Sequence, residues 1–382
     1  NLDVTANLFT IPALYPLAGI ANLRYAPQTP IQLPATAPTV NLSKQILDID
    51  GMTTSFEWVL VSDGRVLDSS EVSGTDGRFK FLDPELGEVY CRMSHPLFPD
   101  FSGDNAYVTT NIKPAGMPTH VFASFMPSFD ADGYLTMTGR TNGTTVYVDW
   151  NGDGNLMQYI LKDTYTEYPA TVKAGTEVKC YAYDKDCGVT VFSLNGFPLS
   201  SIDASGLTGL KALSISGAGL DDGDIIYPEV PSLSELTLDD NNLTTIPIDR
   251  YPNLRLLAVG KNPLGTLDIT SLKSLEGVYA GECALTEVRL ANPLLWDLGL
   301  QSNMLTSIDL SGTPAANQLW LSNNRLASID LSGLNQLNVV FIDGNRFDFT
   351  TLPAVNDNWY IYNYRNQAPL EVNPAGSRVD LS

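Results

Sequence analysis

The sequence predicts a mainly β protein: two N-terminal β-sandwich-like modules followed by a solenoid with a parallel β-sheet on its concave face. Three observations predict it. From about Val189 a pattern of about 21 residues recurs to the end of the chain. An asparagine returns at one fixed place in that pattern. Ahead of it, short alternating apolar runs are broken by Gly, Asp and Pro, the texture of antiparallel strands.

Residues 1–32, rich in Pro and Ala, read as an N-terminal arm. In 33–116, SFEWVLVSDGRVLDSS places Trp58 in an alternating strand that ends at an Asp63-Gly64 turn. Tyr90-Cys91 follows within GRFKFLDPELGEVYCRMSHP, and a last strand is expected around AYVTTNI. This order resembles the second half of an immunoglobulin-type sandwich. Two features depart from that type: no earlier cysteine stands ready to partner Cys91, and the tyrosine adjoins it. Trp58 and Cys91 are therefore expected in the core.

Residues 117–188 carry TTVYVDWNGDGNLMQYI, with further strands near PATVKAG and TEVKCYAYD, and resemble the PKD-like modules of surface proteins. In this position the module is expected to cap the N-terminal end of the solenoid, whose first strand would otherwise leave an open edge. Asp149, Asn151, Asp153 and Gly154 also match D-x-N-x-D-G, the opening of a calcium loop in which alternate oxygens face a hard cation. The closing ligand is missing, because Ile160 stands where the bidentate Glu belongs. Two readings stay open: a structural calcium at Asp149, Asn151 and Asp153, or a bare turn that uses Asp and Gly for their backbone tolerance. Cys180 and Cys187 are close enough in sequence to pair across a local turn, or each is a small buried apolar residue.

The repeat occupies 189–382, about nine turns with the pattern LxxLxLxxNxL. It is clearest in Leu233–Leu243, Leu254–Leu264, Leu295–Leu305 and Leu337–Phe347. The asparagine column runs Asn241, Asn262, Asn303, Asn324, Asn345 and Asn366, with Cys283 in register. An inward asparagine donates and accepts at once, so stacked copies satisfy the backbone of neighbouring turns. Leu236, Leu257, Val278, Leu298, Leu319, Val340 and Ile361 form an apolar core column. Segments such as TSIDLSG and ASIDLSG lack a 3.6-residue stripe, so the convex side is expected to be extended or 3₁₀-like. These repeats resemble the short leucine-rich repeats of secreted and cell-surface bacterial proteins, the Bacteroidetes type in particular. That resemblance implies binding and no catalysis.

Composition narrows the function further. A net charge of −21 repels phosphate backbones, which argues against nucleic acid. Two histidines leave little material for acid–base chemistry or metal sites, and no GxSxG, HExxH or phosphate-cradling loop occurs. No catalytic residue and no cofactor beyond the calcium alternative is expected. No run of eighteen apolar residues spans a bilayer, and a lipid anchor, if there is one, belongs to the precursor.

Between the core positions, the side chains expected on the concave sheet are Ser193, Ser214, Thr237, Ala258, Tyr279, Gly299, Trp320, Phe341 and Tyr362. Aromatics gather in the later turns, with Tyr360, Asp297, Gln301, Gln318 and Asp343 nearby. Such a group suits a protein hot spot or a sugar-stacking platform, or the rings simply pack together over the C-terminal end. The reading is an extracellular or cell-surface binder of a protein or glycan, with a ligand-free scaffold and, behind it, a glycan-processing enzyme as alternatives.

Overall fold

A computed structural model describes residues 1–369 and divides them into two compact units. The first comprises Asn1–Val121, Thr145–Ile160 and Glu177–Asp184; the second comprises Phe122–Thr144, Leu161–Thr176 and the chain from Lys185 onward. The sequence segment 117–188 thus contributes to both units.

In the first unit, six strands are β1 (Thr39–Asn41), β2 (Ser55–Leu60), β3 (Val72–Ser73), β4 (Arg78–Phe81), β5 (Val89–Ser94) and β6 (Tyr107–Val108). They form two antiparallel sheets, ordered β6-β5-β2 and β1-β4-β3. Trp58 and Cys91 are register partners on β2 and β5, and both are buried as expected. The Trp58 ring lies edge-on to Phe79 and Phe81 of β4, at 5.5 and 4.9 Å between centroids. Residues 1–32 are not a separate arm. They place Ile11 and Leu14, from the short helix Ile11–Leu14, and Tyr25 in this same core. The Pro- and Ala-rich segment that suggested an arm is a largely irregular stretch, tied down where Tyr107 donates its hydroxyl to the Phe9 carbonyl at 3.1 Å.

The second unit is built on one sheet of eleven strands among the described residues. Two antiparallel strands come first, β7 (Ala131–Gly139) and β8 (Glu167–Val172). Nine parallel strands follow: β9 (Val189–Asn195), β10 (Ala212–Ser216), β11 (Glu235–Thr237), β12 (Leu256–Ala258), β13 (Gly277–Tyr279), β14 (Asp297–Gly299), β15 (Gln318–Trp320), β16 (Val339–Phe341) and β17 (Ile361–Asn363). The N-terminal edge of the repeats is paired, because β7 runs antiparallel along β9. This is a mainly β solenoid of the leucine-rich repeat type. Its outer side is extended, with short parallel strands at Thr266–Asp268 and Glu287–Arg289 and a 3₁₀ turn at Ile248–Arg250.

Two apolar residues per repeat point inward from the strand and its end. Leu236, Leu257, Val278, Leu298, Leu319 and Val340 are fully buried, as are Leu238, Val259, Ala280, Leu300, Leu321 and Ile342. Each large side chain in these columns contributes about 2 kcal/mol of apolar burial.

Beside them runs the amide ladder. In Asn262, Asn324 and Asn345, Nδ2 donates to a carbonyl of the preceding turn (Leu238, Leu300, Leu321), each at 2.9 Å. The same nitrogen donates to the carbonyl three residues earlier in its own turn. Meanwhile Oδ1 accepts the N–H of Leu243, Leu305 or Leu326 from the turn before. The residue ahead of each ladder position takes a left-handed conformation, with φ of 58° at Asp240, 56° at Lys261, 59° at Ser302 and 58° at Asn323. That turn swings the amide inward, at a backbone cost that the ladder bonds offset.

Cys283 keeps only the donor half of this pattern. Its Sγ donates to the Val259 carbonyl at 3.1 Å, burial pushing the thiol pKa up and keeping the proton on sulfur. Leu264 N, which an amide at 283 would accept, bonds to the Asn262 carbonyl at 2.8 Å instead, and Asn303 Oδ1 takes Leu285 N in the regular way and Cys283 N besides. Cys91, Cys180, Cys187 and Cys283 are all buried.

Asn366 does not continue the ladder. Val340 pairs with Tyr362, which makes the last step one residue longer than the 21 between Leu319 and Val340. Gln367 takes the ladder position instead: its Nε2 donates to the Ile342 and Tyr364 carbonyls at 3.1 and 2.7 Å, and its Oε1 accepts Phe347 N at 3.1 Å. Asn366 occupies the left-handed turn at φ 57°. For the same reason Ile361 leaves the core column, where Tyr362 stands. The repeat domain expected to 382 extends beyond the described residues.

Replacing Asn324 by Leu strands an amide and two carbonyls in a dry interior. Urea unfolding followed by circular dichroism is expected to show a loss of about 3 kcal/mol. Asn253→Ala, on an exposed amide bonded to the Pro231 carbonyl, is expected to cost under about 1 kcal/mol.

Candidate functional site

Side chains alternate across a strand, so each repeat presents residues on the concave face at the positions flanking its inward leucine. The middle column runs Tyr279, Gly299, Trp320, Phe341 in strict register, and then Asn363. Tyr362 is not part of it. The extra residue in the last turn moves Tyr362 to the inward column, where its hydroxyl donates to the Pro353 carbonyl at 2.8 Å and its ring meets Trp359 and Tyr364. Tyr360 lies just ahead of β17, 84% exposed and outside the strand column.

Tyr279, Asp297, Trp320 and Phe341 form one assembly. Tyr279 donates its hydroxyl to Asp297 Oδ2 at 2.6 Å, and Trp320 donates Nε1 to Asp297 Oδ1 at 3.1 Å. Asp297, expected as a surface contact, is buried, with both oxygens engaged. It positions two rings and offers little to a ligand. Trp320 and Phe341 stack at 4.6 Å between centroids with planes 10° apart, a contact worth about 1 kcal/mol beyond area burial. Both remain half-buried, and Tyr279 is 38% exposed.

Glycines make room for this arrangement. A Cβ at Gly299 would stand 3.1 Å from Tyr279 Cδ1, and one at Gly281 would stand 2.6 Å from Gln301 Nε2. The Tyr279 ring and the exposed Gln301 side chain therefore lie across bare backbone. Gln318 is half-buried between Asp297 and Val339 in register, and Asp343 accepts the Ser322 hydroxyl.

Burial is the main cause that pushes the Tyr279 phenol up to about 12, and the hydrogen bond to Asp297 and its negative charge add to it. Tyr279 stays neutral and donating throughout the physiological range. The flanking columns add Glu235 and Asp239, and desolvation raises the Asp239 pKa while its Oδ1 accepts Gly260 N at 2.6 Å. The two histidines, His95 and His120, both lie outside the repeats. The arrangement is a group of partly exposed rings tied to a buried carboxylate, with acidic neighbours.

Two residues at the far end of the same sheet escape a repeat-based reading. Tyr134 on β7 pairs with Asn195 on β9, and the Tyr165 hydroxyl lies 3.4 Å from Thr136 Oγ1. Both tyrosines are exposed. The sequence predicts that 117–188 covers this edge but singles out neither tyrosine.

In the loop that carries Asp149, Asn151 and Asp153, the two aspartates are hydrogen-bonded within the protein. Asp149 is buried, and its two oxygens accept Asp153 N at 3.2 Å and Gly154 N at 2.9 Å. Asp153 accepts Asn155 N and faces Arg78 Nη1 at 3.6 Å. These bonds shape the loop and use only part of the accepting capacity of the two carboxylates. Among the described residues no cluster of three carboxylate, Cys or His ligands stands here or elsewhere. The motif builds a turn.

No protein-family model matches the chain, and no curated protein does. Among solved structures it is similar to the functional domain of InlJ from Listeria monocytogenes, described as including a cysteine ladder. That match has 18% identity, 52% of this chain, 49% of that chain and a TM-score of 0.37. It is also similar to the leucine-rich repeat domain of APL1B, at 25% identity, 42% and 49% coverage and a TM-score of 0.37. YopM from Yersinia enterocolitica matches at 21% identity, 44% and 42% coverage and a TM-score of 0.32. The chain spans about half the length of these proteins. Among the described residues no helix is long and apolar enough to cross a membrane.

Asp297→Asn removes the charge that faces Tyr279 and Trp320. With ¹³C-labelled tyrosine, NMR titration is expected to show the Tyr279 pKa falling from about 12 toward the ordinary 10, with the part due to burial remaining. The Trp320 indole N–H resonance is expected to shift in the same variant, while the Trp58 indole is not.

Proposed function

We propose that this chain is a binding protein at an extracellular or cell-surface location, and that it recognises a protein ligand through Tyr279, Trp320 and Phe341 on the concave sheet. One observation carries the reading: a buried carboxylate fixes Trp320 together with Tyr279, Trp320 stacks on Phe341, and all three rings stay partly exposed. Rigid aromatic anchors lose little conformational freedom on binding, and such residues dominate interface energetics. Gln301, Gln318 and Asp343 supply the polar rim. The acidic surroundings favour a partner with basic groups.

A protein suits this surface better than a glycan. Trp320 and Phe341 each spend one ring face on the other, and Asp297 occupies the Tyr279 hydroxyl and the Trp320 N–H, the groups a sugar would use. The likeness of 33–116 to immunoglobulin-type modules and of 117–188 to PKD-like modules belongs to the same proposal, in which these segments present the solenoid.

The test is a binding screen against extracellular-matrix proteins beside a glycan array, with Trp320→Ala and Phe341→Ala in parallel. A protein ligand is expected, weakened at least ~10-fold by each substitution, about 1.4 kcal/mol, with circular dichroism unchanged. Equal binding by the variants, or no bound protein at all, overturns the reading.

A further inference from the structure

The WNGDG turn lines a second feature, within the first unit. A cavity of about 270 Å³ opens between β1 and the loop that follows Asp149. It is smaller than the ~300–1,000 Å³ typical of drug-sized sites, so its occupant is about one ring in size. Its walls are apolar, with Trp150 and Leu156 both buried. Trp150 is fixed by Nε1 donating to the Tyr159 hydroxyl at 2.9 Å, and the Leu156 backbone by its carbonyl accepting from Thr39 Oγ1 at 2.6 Å.

The polar part of the lining is nearly all amide: Asn41, Asn151, Asn155 and Gln158. Arg78 is its only cation, and Arg78 faces Asp153. One of these amides is incomplete. Gln158 Nε2 lies 3.4 Å from the Tyr147 hydroxyl, whereas Oε1 is buried without a hydrogen-bond partner among the described residues. Exchanging the oxygen and nitrogen only changes which of the two is left over. An unsatisfied buried amide is costly, and because Oε1 is closed to solvent it is relieved by a ligand hydroxyl once the Gln158 side chain turns toward the cavity.

Amides both donate and accept, as do the hydroxyls of a polyol, and an aromatic wall suits the C–H face of a sugar ring. The geometry points to a binding site for a single neutral pyranose unit, the end of a glycan, with Gln158 and Asn155 as its hydrogen-bonding residues. This site is separate from the concave face and does not depend on the reading given for it.

Saturation-transfer NMR on the whole chain, with the methyl glycosides of glucose, galactose and N-acetylglucosamine as probes, tests the site. At least one is expected to bind with Kd on the order of 1 mM, as suits a ligand of so few atoms. Gln158→Leu and Asn155→Ala are each expected to weaken that binding ~10-fold or more, with far-ultraviolet circular dichroism unchanged. Trp320→Ala is expected to leave it alone. The proposal is overturned if none of the three probes binds, if both amide variants bind like the parent, or if Trp320→Ala abolishes the signal and so moves the sugar to the concave sheet.

Discussion

A side-chain amide that donates and accepts in a water-free interior is the constraint on which the solenoid rests. Where each repeat leaves its strand, the chain bends through a left-handed residue and exposes backbone groups that no strand partner can reach. Asn241, Asn262, Asn303, Asn324 and Asn345 close those gaps between successive turns, and each is nearly or fully buried. The bonds fix the vertical spacing of the strands as well as their pairing. Because the spacing is fixed, side chains on the concave face stand in columns, and Trp320 can meet Phe341 ring to ring.

Position by position, the ladder sets what the face can display. Where the column holds Gly299, the Tyr279 ring lies over backbone and reaches Asp297; Trp320 reaches the same carboxylate from the other side. A buried carboxylate with two neutral donors is tolerable because both oxygens are satisfied. The apolar surface that results is held by bonds within the protein itself.

Most of the repeat was legible because a polar residue in an apolar pattern is conspicuous at fixed spacing, and Asn241 through Asn345 all fall where the spacing puts them. The last repeat was not. One additional residue in a turn leaves no periodic mark, and with Asn366 and Gln367 adjacent, either could supply the amide. Gln367, one methylene longer, makes the bonds, and the shift carries Tyr362 from the open face to the inward column. The Asp297 role was hidden because its burial comes from Tyr279 and Trp320, residues 18 and 23 positions away. Which strand of 117–188 meets β9, and the burial of Ile11 and Leu14, were hidden for a related reason: both rest on long-range packing that no local pattern announces.

Native-state hydrogen exchange at the amides of Leu243, Leu305 and Leu326 tests the central claim most directly, since each donates to a ladder side chain in the next turn. The account predicts that all three exchange only through opening of the repeat stack, at a common slow rate that matches the neighbouring strand amides. Rapid or widely differing exchange at these three sites, beside protected strand amides, would contradict it.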